Sequence, residues 1–148
     1  FERWGVEADA RLSVTTRLGK STVFAEAVLA SNLDRGLFIA DPTLGSSSVR
    51  EFGWHVGATQ SLTRYALIGA RYDHYDPNSD LMDARAGQLY PLNQSIDTVA
   101  LLGALSLQER ARLSFEYDLV YDKLARSAIG TPTDLDNNQW ILRLQVNL

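Results

Sequence analysis

Cysteine is absent from this chain, which removes thiol catalysis, Cys-ligated metals and disulfides, and agrees with export through an oxidising space. Basic residues are few: 14 Lys and Arg stand against 18 Asp and Glu, a net charge of -4. The basic surface that phosphate contacts require is therefore missing, and no nucleic-acid partner is expected. Long apolar runs are missing too. A stretch such as Thr98 to Leu107 is roughly half of the ~20 residues a helical membrane span needs. Gly-rich phosphate loops, zinc-ligand spacings and calcium-loop patterns are not found, so no metal or cofactor is expected. No secretory signal precedes Phe1, which reads as a mature chain or a fragment. The 45% hydrophobic and 22% charged content of the 148 residues fits one folded domain rather than a disordered chain.

What is present is a period of two. It recurs over about seven strands of roughly 10 to 13 residues, longer than the ~5 to 6 usual in soluble sheets. The first, Arg3 to Thr16, sets Trp4, Val6, Ala8, Ala10, Leu12 and Val14 against Glu7, Asp9, Arg11, Ser13 and Thr15. The second, Ser21 to Ser31, sets Val23, Ala25, Ala27 and Leu29 against Thr22, Phe24, Glu26 and Val28. The third, Arg50 to Leu62, has Phe52, Trp54, Val56 and Ala58 on one side and Glu51, His55 and Thr59 on the other. Tyr65 to Tyr75 follows, with Ala66, Ile68, Ala70 and Tyr72 opposite Gly69, Arg71 and Asp73. Ile96 to Leu107 is the least clearly alternating; Val99, Leu101, Leu105 and Leu107 make its better apolar face. The sixth opposes Leu113, Phe115, Tyr117, Leu119 and Tyr121 to Arg112, Ser114, Glu116, Asp118 and Asp122. The seventh, Asn138 to Leu148, opposes Trp140, Leu142, Leu144, Val146 and Leu148 to Arg143, Gln145 and Asn147.

Connections alternate between a few residues, around Gly19, Thr63 and Glu109, and roughly 15 to 20 polar residues. Long strands, alternating faces and alternating loop lengths together predict an all-β, antiparallel up-and-down transmembrane β-barrel in the bacterial outer membrane, with short periplasmic turns and long outer loops. Trp4, Trp54 and Trp140, near the upper ends of downward strands, and Tyr72 and Tyr121, near the upper ends of upward ones, are the expected membrane-interface aromatics. Bacterial barrels have even strand numbers, so seven strands predict the C-terminal part of a larger barrel, spanning residues 1–148 as one domain. A further strand near Gly36 to Ala40 would instead give a small eight-stranded barrel.

The run Arg71-Tyr72-Asp73-His74-Tyr75-Asp76-Pro77-Asn78 and the ending Asn138-Gln139-Trp140-Ile141-Leu142-Arg143-Leu144-Gln145-Val146 resemble the C-terminal half of Gram-negative porins. They are most similar to the phosphate-selective porin O and P family, across about two thirds of the chain. Leu148 replaces the Phe or Trp on which that family usually ends. The resemblance implies passive diffusion of small hydrophilic solutes or ions. It also implies the outer-membrane bilayer, the barrel assembly machinery and a homotrimer or other outer-membrane proteins as partners. A purely basic ladder is not visible, since inward arginines are matched by acids.

The inward Glu7, Asp9, Arg11, Arg71, Asp73, Arg112, Glu116, Asp118 and Arg143 are the expected lumen-lining groups, setting selectivity by fixed charge. Cross-strand ion pairs inside a closed or narrow barrel are the blander reading of the same residues. Within the loop Asp76 to Ser95, Asp80 to Ala86 predicts a helical turn; the loop reads as an ordinary surface loop ahead of an inward-folded constriction. An enzyme is not expected: His74 lies among Asp73 and Asp76, as in omptin-type barrel proteases, yet the string also reads as a polar strand exit, and His55 has no spaced nucleophile. The alternation also fits a soluble β-sandwich or lipocalin-like barrel with the apolar faces inward, and a structural barrel anchoring a multi-protein outer-membrane assembly.

Overall fold

The computed structural model of the chain describes residues 3–32, 49–80, 82–85, 87–91, 94–107, 110–122 and 137–146. These form nine strands: β1 (Trp4–Thr16), β2 (Gly19–Ser31), β3 (Arg50–Ser61), β4 (Ala66–Asp76), β5 (Met82–Arg85), β6 (Gln88–Pro91), β7 (Ile96–Leu107), β8 (Ala111–Asp122) and β9 (Gln139–Val146). Seven of them make one antiparallel sheet in the order β1-β2-β3-β4-β7-β8-β9, an up-and-down path in which β1 and β9 are the open edges. The sheet is all-β, as expected, and it is not closed. The strand considered near Gly36 to Ala40 lies outside the described residues, as do Glu109 and Leu148.

The predicted helical turn over Asp80 to Ala86 is corrected. Met82–Arg85 is a strand paired with Gln88–Pro91, and Gly87 at φ 78° lies in the turn between them. One isolated helical turn fixes too many dihedrals for too few hydrogen bonds, whereas a left-handed Gly lets the chain reverse into a hairpin. Among the described residues this hairpin pairs with none of the seven long strands.

Pairing carries one parity across the whole sheet. Leu12, Val23, Ala58, Ala70, Leu101, Tyr117 and Trp140 stand in one row, while the adjoining row reads Arg11, Phe24, Gly57, Arg71, Ala100, Asp118 and Gln139. The faces of β7 are thereby settled: Val99, Leu101 and Leu105 join the apolar side. Among the described residues, every exposed large hydrophobic side chain belongs to that side except Leu18, Leu62 and Tyr65, which sit in short turns.

Burial is inverted relative to a water-soluble sheet. Leu12, Leu142 and Leu144 are 69%, 72% and 66% exposed, whereas Ala30, Ala100, Thr22 and Glu51, all of polar-side parity, are 2%, 3%, 4% and 5% exposed. The better-shielded face is the polar one. Exposed large apolar side chains on all seven long strands are unusual for a soluble monomer, whose apolar patches are small.

The strand ends are fixed locally. Gly19 adopts φ +117° beside Ser61, whose carbonyl oxygen would lie 2.1 Å from any Cβ there. The Thr63 hydroxyl accepts the amides of Tyr65 and Ala66, both at 3.1 Å, closing the β3–β4 turn. At the long-loop end Asn32 is fully buried with φ 60°. Its amide donates to the Val49 carbonyl and its side-chain Oδ1 accepts the Val49 amide, each at 2.9 Å, so one residue clasps the base of a long connection. Beyond β4, Arg50 holds Asp80 through Nε to Oδ2 at 2.7 Å and a second guanidinium contact to Oδ1, while Ser79 donates its amide to the Arg50 carbonyl.

Two outcomes follow from these ends. Asn32→Ala removes a buried acceptor's work and strains a left-handed residue, and urea unfolding is expected to register a loss of about 2 kcal/mol, with Asn32→Gly between it and the parent. The Arg50 hydrogen bond holds the Asp80 carboxyl below the usual carboxylate range. A carboxyl lowered on folding stabilises above its unfolded pKa, about 3.9, and the contribution is lost as pH falls through the depressed value. Exchange protection at the Ser79 amide should therefore hold from about pH 8 to 5 and fall only below about pH 4; Asp80→Asn should abolish that acid transition.

Candidate functional site: the polar face of the sheet

Small residues on the polar side leave room, and large ones at their flanks fill part of it. Phe24 lies across its cross-strand partner Gly57, and a Cβ on Gly57 would meet the Phe24 ring at 2.4 Å. Tyr75 likewise lies against its partner Gly53, 3.5 Å from where a Cβ would stand. Around Gly53 the register places Glu26, Val28 and Ala30 on β2, Glu51 and His55 on β3, and Asp73 and Tyr75 on β4. They border a groove of about 390 Å³. His55 packs against Phe24, with ring centroids 5.8 Å apart, as an ordinary packed histidine does.

Arg71 is the hub of the charged residues. Its Nε donates to Asp73 Oδ2 at 2.8 Å and its guanidinium lies 3.8 Å from Glu116 Oε1, two strands away. That reach is possible because Ala100 stands between Arg71 and Asp118 in the same row and offers only a methyl group. One Asp118 carboxylate oxygen is shielded and has no hydrogen-bond partner among the described residues. The structure therefore gathers Arg71, Asp73, Glu116 and Asp118, four of the nine expected polar-face groups.

The other five share the face without joining that cluster. Glu7, Asp9 and Arg11 are exposed along the edge strand β1, and Arg112 and Arg143 are exposed on β8 and β9. None of the five makes an ion pair among the described residues.

On the apolar side the aromatic residues meet in groups. Trp54 lies 5.3 Å from Tyr72 and 6.0 Å from His74, and Trp140 lies 4.1 Å from Tyr117 and 5.1 Å from Phe115, centroid to centroid. Trp4 and Tyr121 are exposed on the same side. The suggested pairing of His74 with Asp73 or Asp76 is corrected: His74 Nδ1 is 2.7 Å from Asp97 Oδ1, which also accepts the Tyr72 hydroxyl at 2.8 Å. Asp73 points to the opposite face. Asp97 was hidden from sequence reasoning because its place opposite His74 arises only when β4 pairs with β7 across a long loop.

Compared with protein-family models, curated proteins and solved structures, the chain matches none.

Removal of the Arg71 side chain leaves three carboxylates facing one another. Arg71→Met is expected to cost about 1 kcal/mol in urea unfolding, a modest figure because the pair is partly exposed, with Arg71→Lys losing less. A parental midpoint in Arg71→Met would mean that the cluster contributes nothing to the fold.

Proposed function

We propose that this sheet is part of an outer-membrane β-barrel of porin type, with its polar face lining a water-filled passage for small hydrophilic solutes or ions. The observation that carries the proposal is the inverted burial: apolar side chains cover the more exposed face, and charged and small polar ones the more shielded face. Hydrocarbon on one side and water on the other is the setting in which that arrangement is favourable. The resemblance to porins of the O and P type points the same way.

The stagger of the aromatic residues adds support. Trp140 pairs back through Tyr117, Leu101, Ala70, Ala58 and Val23 to Leu12, eight residues further along β1 than Trp4. Eight residues at about 3.3 Å, over six inter-strand steps of about 4.8 Å, give a slope of about 40°. Strands of outer-membrane barrels tilt by about 35–45°. That is the slope of the line joining Trp4 to Trp140, and Trp54, Tyr72 and Tyr121 fall within about three residues of the line. The strand starts step the same way, since Gln139 pairs back to Arg11.

β1 and β9 are the outer strands of seven antiparallel ones and run in the same direction. Antiparallel closure of this sheet therefore takes an odd number of further strands, giving the even total of bacterial barrels.

Reconstitution of the intact protein in planar bilayers tests the proposal. Conductance steps are expected, and Arg71→Glu should raise cation over anion permeability by leaving Asp73, Glu116 and Asp118 uncompensated. A folded, heat-modifiable protein that conducts nothing rejects the porin reading; unchanged selectivity in Arg71→Glu assigns Arg71 a structural role alone.

A further inference from the structure

Charge is unevenly distributed along the strands. The chain over the three short connections reads Arg17-Leu18-Gly19-Lys20, Leu62-Thr63-Arg64-Tyr65 and Gln108-Glu109-Arg110, with four basic residues and one acid, in a chain whose net charge is -4. Acids concentrate toward the opposite end, where Glu51, Asp76, Asp80, Asp97 and Asp122 stand. Arg17, Lys20, Arg64 and Arg110 are all exposed, and none makes an ion pair among the described residues.

A basic patch alone fits many anionic partners. Here the same turns carry the three exposed apolar side chains that do not belong to the sheet's apolar face: Leu18 at 73%, Leu62 at 50% and Tyr65 at 42% exposure. The Arg64 guanidinium lies over the Tyr65 ring at 4.5 Å. Side chains with an apolar body beside exposed cations suit the depth where acyl chains give way to phosphate, with Leu and Tyr buried at the boundary and Lys and Arg reaching outward.

We propose that the short-turn end of the sheet binds the anionic phospholipid headgroups of the leaflet it faces. This rests on the membrane reading above and adds a lipid preference and an anchored end to it. Each Lys or Arg near an anionic surface contributes attraction that falls off within a Debye length. Three substitutions should therefore be enough to remove most of the preference.

Flotation of the full chain with phosphatidylcholine vesicles, with and without phosphatidylglycerol, tests it. Phosphatidylglycerol is expected to tighten binding roughly tenfold or more at low salt, and the gain should vanish near 1 M salt, where the Debye length is about 3 Å. Arg17→Gln/Arg64→Gln/Arg110→Gln should lose most of the gain while keeping neutral-vesicle binding and its β-sheet circular dichroism. Should the triple variant misfold, Arg64→Gln alone should still lose a few-fold of the gain. Equal binding to both vesicles, or a folded variant that retains the gain, overturns the proposal and leaves the membrane reading standing. A chain that floats with neither overturns both.

Discussion

Registered pairing, strand after strand, keeps the two faces of this sheet chemically distinct. Side chains alternate with a period of two, so a slip of one residue at any pair would carry every later strand's apolar set to the polar side. Across the six pairings of the long sheet no such slip occurs, and the row from Leu12 to Trp140 stays apolar throughout, apart from its alanines' small size. The turns enforce this. Gly19 and Thr63 close two connections that are too short to permit a different register, and Asn32 performs the same duty where the connection is long, by binding Val49 from both its backbone and its side chain.

The same pairing leaves a debt at each side of the sheet. Among the described residues no strand pairs with the outer edge of β1 or β9, and in hydrocarbon each unsatisfied backbone group costs several kcal/mol. Exposed apolar side chains on β1 and β9 make water an equally poor solvent for those strands. Under the barrel reading, both difficulties have one resolution, which is further strands continuing the same alternation. Two copies of this sheet set the same way up would meet with β9 parallel to β1, and would not supply antiparallel closure.

Much of this was legible from the alternation. The seven long strands are found at the expected places with ends shifted by a residue or two, and β7 runs over the expected Ile96 to Leu107. Its faces were the hard part, because Ala100, Leu102 and Ala104 are as apolar as the residues opposite; only neighbours of known parity, Tyr72 on β4 and Leu119 on β8, assign them. The short hairpin of β5 and β6 gave no periodic signal, being four residues per strand. Asp97 and the coverage of Gly53 by Tyr75 were invisible for a related reason, since each depends on which residue of a separate strand stands opposite. The polar-face residues were placed on the correct side by parity alone, while their division into one cluster around Arg71 and several unpaired charges depended on the size of Ala100.

That division bears on whether the shielded face is wet. Paired charges such as Arg71 with Asp73 can survive in a narrow, nearly dry interior, because each satisfies the other. Arg112 and Arg143 have no acidic partner among the described residues, and one oxygen of Asp118 has no hydrogen-bond donor. Sealing such groups away from solvent without compensation costs far more than a small domain's net stability allows. If the sheet continues into a barrel, its interior must therefore admit water along β8 and β9 or bring counter-charges from the added strands. On the same face, away from β8 and β9, a groove of about 390 Å³ runs beside Glu26 and Glu51 over β2, β3 and β4. Exposed charges of both signs along a shielded face are suited to a wet passage, so the residues outside the Arg71 cluster argue more strongly for passage than those within it.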